Sequence, residues 1–174
     1  MTTSSRPSKP VSASTHETSR LMMPMDENAR GYVFGGVVLA MMDTTAAVCA
    51  MRHARSPCVT VSVDRVDFRE PILVGELLHM KASVNAVGRT SMEIGIRIEA
   101  ENMLTGTRRH TNSCYMTYVS LGQDGRPAEV PELVPETPEE KRRCAAAAQR
   151  RRRRLEERDA EQKLHGVSGG RVKA

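Results

Sequence analysis

The sequence predicts an α+β domain in which one long apolar helix is wrapped by a curved antiparallel sheet of about five or six strands. Three observations carry this. Val37 to Met51 is apolar nearly all round, broken mainly by Asp43, Thr44 and Thr45. After Pro57 the hydrophobic period drops to two, the signature of half-buried strands. The links between these alternating stretches are short, which favours antiparallel neighbours. A helix with no polar side must be covered on most sides, and a curling sheet does this.

The elements follow in order. Residues 1–15 are rich in Ser, Thr and Pro and poor in apolar groups, so they read as a disordered N-terminus. That reading fits the scattered Arg6, Lys9 and Arg20 better than a transit signal does. Gly35-Gly36 opens the helix, and Arg52-His53-Ala54-Arg55 closes it with basic residues where the helix dipole favours them. Four strands come next, at Val59–Asp64, Leu77–Val87, Met92–Glu99 and Arg109–Leu121. Leu73–Glu76, Val87–Arg89 and Leu104–Thr107 supply turns. Pro131, Pro135 and Pro138 mark the end of the compact part, so one domain spans residues 16–136. Residues 137–174 form a basic tail whose Glu139 to Lys163 has high helix propensity but little to bury, predicting a solvated helix.

Composition excludes several functions. Of the 174 residues 39% are hydrophobic and only 3% aromatic, so the core is aliphatic and rich in Met. No stretch approaches the ~18–20 uninterrupted apolar residues of a membrane span. The four cysteines show neither CxxC spacing nor histidines at zinc-ligand spacing, so no metal site is expected. No apolar leader follows the N-terminus, which points to the cytoplasm and reduced thiols. The net charge of +5 belongs to the ends: residues 1–15 carry +2, 16–136 carry −3 and 137–174 carry +6. Arg150 to Arg154 could attract nucleic acid or an anionic surface, but no aromatic residues interleave to stack on bases, so no nucleic-acid partner is required.

Asp43 is the outstanding candidate for chemistry. A carboxylate in the middle of an apolar helix costs several kcal/mol unless it is paired or reached by water. Its helical neighbours Leu39, Ala40, Ala46 and Ala47 are mostly small and leave room for a ligand. The bland alternative is a carboxylate satisfied by a structural Arg or by backbone donors. Gly35-Gly36 is the second feature. The first N–H groups of a helix lack intrahelical partners, and glycines let an oxyanion come close. Asn28 and Gly88-Arg89-Thr90-Ser91 are weaker candidates, since both fall where turn residues are routine.

Four motifs in order give these residues a context. Pro24, Asn28, Gly31, Phe34-Gly35-Gly36, Leu39 and Met42-Asp43 come first, followed by Val63-Asp64-Arg65-Val66-Asp67-Phe68, Pro71 and Val74-Gly75. Val87 to Met92 and Thr105-Gly106 complete the series. Together they resemble the hot-dog acyl-CoA thioesterases of the YciA and brain acyl-CoA hydrolase type, over roughly residues 16–136. The resemblance implies a hot-dog fold and hydrolysis of acyl-CoA to free acid and coenzyme A, which is substrate and product rather than cofactor. It implies Asp43 as the catalytic carboxylate, Asn28 as its partner and Gly36 at the carbonyl-polarising helix start. Gly35, Phe68, Gly88, Arg89, Thr90 and Ser91 are implied beside substrate and coenzyme A. Thr44 departs from the pattern, because many members carry Glu there. A non-catalytic acyl-CoA sensor on the same fold is the alternative, and it would leave that acid missing or paired.

Length argues for more than one chain. Asp43 lies about seven residues into the helix, ~10 Å of rise from Gly36. A carbonyl held at the helix start is poorly served by the Asp of the same helix. A site shared between two chains repairs this, and the resemblance implies a homodimer at least, assembled as a hexamer from three dimers.

Overall fold

The computed structural model describes residues 6–68 and 70–165, with side chains described through residue 160. The organising element is α1, Gly35–Ala54, and it ends at Arg55 in the left-handed conformation. Val38, Met41, Met42, Thr45, Ala46, Cys49, Ala50 and His53 form its buried side. They rest on a five-stranded antiparallel sheet made of β2 (His16–Leu21), β4 (Glu76–Val87), β5 (Ser91–Asn102), β6 (Arg108–Ser120) and β3 (Cys58–Val63), in that spatial order. Alternate residues of the three central strands supply the inner face. Leu78, Met80 and Val84 of β4, Ile94, Ile96 and Ile98 of β5, and Met116 and Tyr118 of β6 are all buried there. The period of two places them on one side, and the aliphatic composition makes that side continuous.

The α+β architecture, the strand number and the sheet laid around the central helix agree with the sequence reading. Within one chain the sheet buries one side of α1 and leaves Leu39 and Met51 exposed, and Val59, Val61 and Val63 of edge strand β3 are also exposed. The helix is also longer than the 15 apolar residues suggested. Its 20 residues suit a bilayer span by length and composition alone, but here one side packs on the sheet.

Both ends of the chain depart from expectation. Residues 1–5 of the expected disordered N-terminus lie outside the described residues. The rest of it is structured: β1 (Ser8–Pro10) pairs in parallel with β7 (Glu132–Val134), and Val11 and Ser14 are buried. The physical reason is the bare carbonyl end of α1. Lys9 Nζ donates to the Arg52 and His53 carbonyls at 2.7 and 2.9 Å, and Arg52 donates to Thr15 O at 2.7 Å. Such cations complete the unpaired last carbonyls of a helix. His53 is fully buried between Ser14 Oγ at Nδ1 (3.0 Å) and Pro131 O at Nε2 (3.1 Å). β2 continues the same segment and pairs with β4 from His16 to Leu21.

The C-terminal helix α2, Pro138–His165, is not simply solvated. It packs over the outer sheet face through Ala147, fully buried, and through arginines that reach a buried acid. Arg150 and Arg154 both meet Glu93 of β5 at 2.6 Å, and Arg154 also meets Asp64 at 2.8 Å. The Arg150 guanidinium lies 3.5 Å over the Tyr115 ring, a cation–π contact. Helix propensity makes α2 a helix, and ion pairs rather than apolar burial dock it.

Two outcomes follow. Glu93→Ala leaves two arginines without their shared acid; the pair is partly exposed, so about 3 kcal/mol should be lost, read by urea denaturation. Burial pushes the His53 imidazole below its ordinary range, outweighing the Pro131 contact. The unfolded chain then binds the proton first, near pH 6.5. Stability should be complete above that pH and fall as pH drops below it. Melting curves between pH 7.5 and 5.5 should show a steeper fall for the wild type than for His53→Gln.

Candidate active site

Asp43 sits where the buried and bare sides of α1 meet, and its carboxylate is half-buried. No arginine or lysine pairs with it among the described residues. Oδ1 accepts instead from two hydroxyls, Thr60 Oγ1 at 2.6 Å and Tyr118 OH at 2.7 Å. The Tyr118 hydroxyl also lies 2.8 Å from the Asp43 carbonyl oxygen. Burial, with the Asp43 charge beside it, pushes the Tyr118 phenol above its usual range and outweighs the Thr60 contact, so the phenol stays a donor. Oδ2 has no hydrogen-bond partner among the described residues. Neither a structural Arg nor a backbone donor satisfies the carboxylate among the described residues; two side-chain hydroxyls do. Thr44 turns its hydroxyl back onto the Ala40 and Met41 carbonyls at 3.1 Å and contributes nothing to the carboxylate.

The strands explain why these hydroxyls are there. Thr60 of β3 lies directly opposite Tyr118 of β6, and Tyr118 lies opposite Met92 of β5. The β3–β6 register then slips between Thr60 and Ser62. Bulges of this kind re-aim side chains next to functional sites. Ser91 is one residue beyond Met92, so the Gly88–Ser91 turn sits two strand spacings, about 10 Å, from the Thr60 row. Neither Thr60 nor Tyr118 could be singled out from sequence, because each looks like an ordinary strand residue.

The start of α1 is left open. No side chain caps it; the Val37 N–H turns back to the Phe34 carbonyl at 3.0 Å, while the Gly35 and Gly36 N–H groups have no partner among the described residues and carry partial positive charge. The two glycines admit aromatic cover: a Cβ on Gly36 would lie 2.4 Å from the Phe34 ring, and one on Gly35 would lie 3.5 Å from the Phe68 ring. Phe34 and Phe68 are each about half exposed. Asn112, which the sequence reading passed over, donates from Nδ2 to the Asp67 carbonyl at 2.6 Å and so fixes the loop that carries Phe68.

Asn28 organises the turn before the helix. Its Oδ1 accepts from the Arg30 and Tyr32 amides at 2.8 and 3.3 Å, while its own N–H donates to Tyr32 O at 2.7 Å. The side-chain NH2 remains as its spare donor. Asp26 holds the whole approach in place. It is buried, binds Arg20 at 2.6 Å and the Met23 amide at 2.9 Å, and takes the Phe34 amide on its carbonyl at 2.7 Å.

One chain thus sets Phe68 beside Gly35 and Phe34 beside Gly36 at the helix start, Asn28 in the turn that precedes it, and Asp43 with Thr60 and Tyr118 further along. No hydrogen bond joins Asn28 to Asp43. Gly88, Arg89, Thr90 and Ser91 form the β4–β5 turn, where Arg6 donates to the Gly88 carbonyl at 2.7 Å and Gly88 N–H donates to Ser91 O at 2.7 Å. Among the described residues no group of three or more His, Cys, Asp and Glu could hold a metal ion.

Comparison with known proteins gives a family. Residues 30–107 match the model of the thioesterase superfamily. Protein VdlD of Helicobacter pylori is 42% identical over 119 residues, 68% of either chain. The uncharacterized acyl-CoA thioester hydrolase YkhA of Bacillus subtilis is 38% identical over 71% of this chain and 72% of its own. The cytosolic acyl coenzyme A thioester hydrolase of Rattus norvegicus is 36% identical over 75% of this chain but 35% of its own. Among solved structures, an apo hexameric acyl-CoA thioesterase superposes with a TM-score of 0.84 at 42% identity, covering 87% of this chain and 97% of that one. An acyl-CoA hydrolase from Staphylococcus aureus, in complex with butyryl coenzyme A, coenzyme A and coenzyme A disulfide, gives 0.85 at 35%, covering 91% and 98%. That hydrolase has also been solved with alanine in place of an Asp, an Asn and a Thr.

Tyr118→Phe should remove one of the two donors on Asp43 Oδ1 and keep the packing. A bond to a charged acceptor contributes about 1.5–3 kcal/mol, and a loss of that size should appear as a lower urea midpoint at pH 7 with an unchanged m-value.

Proposed function

Because the chain belongs to the thioesterase superfamily, with acyl-CoA thioester hydrolases among its relatives, we propose that it hydrolyses acyl-CoA thioesters to free acid and coenzyme A at a site built on Asp43. One observation carries this reading. The acid of the apolar helix is held at one oxygen by two neutral hydroxyls and keeps the other oxygen free. A non-catalytic sensor would have no use for a carboxylate presented in this way.

The reaction needs water and no cofactor. The thioester carbonyl oxygen lies at the helix start and accepts from the Gly36 N–H and from the spare NH2 of Asn28. Charge that develops on that oxygen is stabilised by donors already in place. The free Asp43 oxygen either takes a proton from the attacking water or attacks the carbonyl carbon itself, giving a mixed anhydride that water opens. The carbon–sulfur bond breaks in both routes. A thiol ionises near pH ~8.5, so the leaving sulfur departs without a strong general acid. The Thr60 and Tyr118 hydroxyls orient the carboxylate. Phe34 and Phe68 cover the helix start against bulk water.

The Asp43 and Asn28 groups are brought together by a second chain. Support comes from the ~10 Å rise between Gly36 and Asp43 and from the apolar surface left bare beside Asp43. Leu39, Met51, Val59, Val61 and Val63 are exposed there, next to Thr60 on an edge strand. A second copy of that surface covers it and closes the site. Assembly beyond the dimer follows the hexameric relative, and a cytoplasmic location follows the cytosolic one.

Two outcomes test the proposal. Asp43→Asn should lower kcat on a panel of acyl-CoAs at least 100-fold while coenzyme A still binds by calorimetry; wild-type turnover in that variant would end the assignment. Asp43→Ala and Asn28→Ala proteins, each nearly inactive, should regain up to about a quarter of wild-type activity after subunit exchange, as expected for shared sites in randomly mixed dimers. No recovery after exchange verified by mass spectrometry would place each site within one chain.

A further inference from the structure

We propose that Arg151 and Arg153 of α2 hold the phosphate groups of the acyl-CoA substrate in a bay on the outer side of the sheet. The inference rests on the acyl-CoA thioesterase reading above and extends it to the C-terminal helix, which lies beyond residues 30–107 matched by the family. The bay has a volume of about 840 Å3 and is walled by Val61–Val63 of β3 with Asp64 after it, by Gly88 of the β4–β5 turn and Ser91 at the start of β5, and by α2. That volume is in the range of small-molecule sites.

The charge inside the bay is unbalanced. Six arginines and three carboxylates line it. Arg150 and Arg154 are committed to Glu93 and Asp64, and Arg65 to Asp67 at 2.8 Å. Arg158 has Asp159 at 3.9 Å. Among the described residues no carboxylate lies within ion-pair distance of Arg151 or Arg153. The committed pairs anchor the helix, and the uncommitted guanidiniums next to them remain available to an anion. Guanidinium forks bind phosphate oxygens in a bidentate manner.

Gly88 brings one of these forks to the turn. A Cβ there would stand 2.8 Å from Ser91 Oγ and 3.4 Å from the Arg151 guanidinium. The missing side chain leaves the turn backbone, the Ser91 hydroxyl and Arg151 around one open space. The bay lies next to the edge strand that serves Asp43. Its β3 wall begins at Val61, one residue after the Thr60 that donates to Asp43. Coenzyme A carries its pyrophosphate and ribose phosphate at the end remote from the thioester, which matches a basic bay set apart from the carboxylate. A concave bay without aromatic lining suits a compact anion better than a flat membrane or a stacked nucleic-acid strand.

The test compares hydrolysis of one acyl group carried on coenzyme A and on pantetheine, which has no phosphates. In Arg151→Ala/Arg153→Ala the preference in kcat/KM for acyl-CoA over acyl-pantetheine should fall roughly tenfold or more, since two charge-assisted contacts are lost. Coenzyme A affinity by calorimetry should fall by a similar factor, and Arg151→Lys/Arg153→Lys should restore part of it. An unchanged preference with unchanged coenzyme A affinity overturns the proposal. So does loss of affinity for an RNA oligomer or for anionic vesicles while coenzyme A binding is intact. Failure of the underlying reading is distinct: the wild type would then hydrolyse neither substrate, and calorimetry with coenzyme A would still decide the bay.

Discussion

The structure turns on a carboxylate held on an apolar helix with no cation beside it among the described residues. Asp43 is tolerated because two hydroxyls from two different strands converge on one of its oxygens. Hydroxyls lessen the desolvation cost of a buried anion without neutralising it, so the second oxygen keeps its capacity to accept a proton or form a bond. An arginine in the same place would hold the charge more firmly and remove that capacity. The requirement reaches outward through the sheet. Thr60 must sit opposite Tyr118, β3 must be the edge strand, and α1 must lie with Asp43 at the margin of its buried side.

The same economy governs the helix start. Asp26, buried and bound to Arg20, fixes the loop, and Asn28 spends its carbonyl oxygen on that loop and keeps its NH2. Gly35 and Gly36 leave the first N–H groups of α1 uncapped beneath two aromatic rings. Structural bonds here are made by one half of a side chain so that the other half stays unused. Asp43 shows the same division between its two oxygens, and α2 shows it among its arginines. Arg150 and Arg154 dock the helix, and Arg151 and Arg153 remain unpaired beside them among the described residues.

Legibility in the sequence followed periodicity. The apolar run of α1 and the alternation of β3 to β6 are visible because burial selects side chains at fixed spacings along one element. Asp43 was visible for the same reason, as a charge out of place in that pattern, and Gly35-Gly36 as glycines at a helix start. Thr60, Tyr118, Asn112 and Asp26 were not, since each has a residue type common at its position and matters only through a partner 17 to 75 residues away or a loop it fixes. The order of the N-terminal arm was hidden because its reason lies at the far end of α1, where Lys9 meets the carbonyls of residues 52 and 53. The docking of α2 was hidden because an arginine-rich helix reads as solvated until a buried acid such as Glu93 is placed beneath it.

The sequence alone determined the element types, the aliphatic core and the presence of one misplaced acid, because these follow from local spacing and composition. Tertiary structure decided how that acid is satisfied, which side of α1 stays bare and which arginines remain uncommitted. Those outcomes depend on strand register and on contacts between residues far apart in the chain, and no local pattern encodes either.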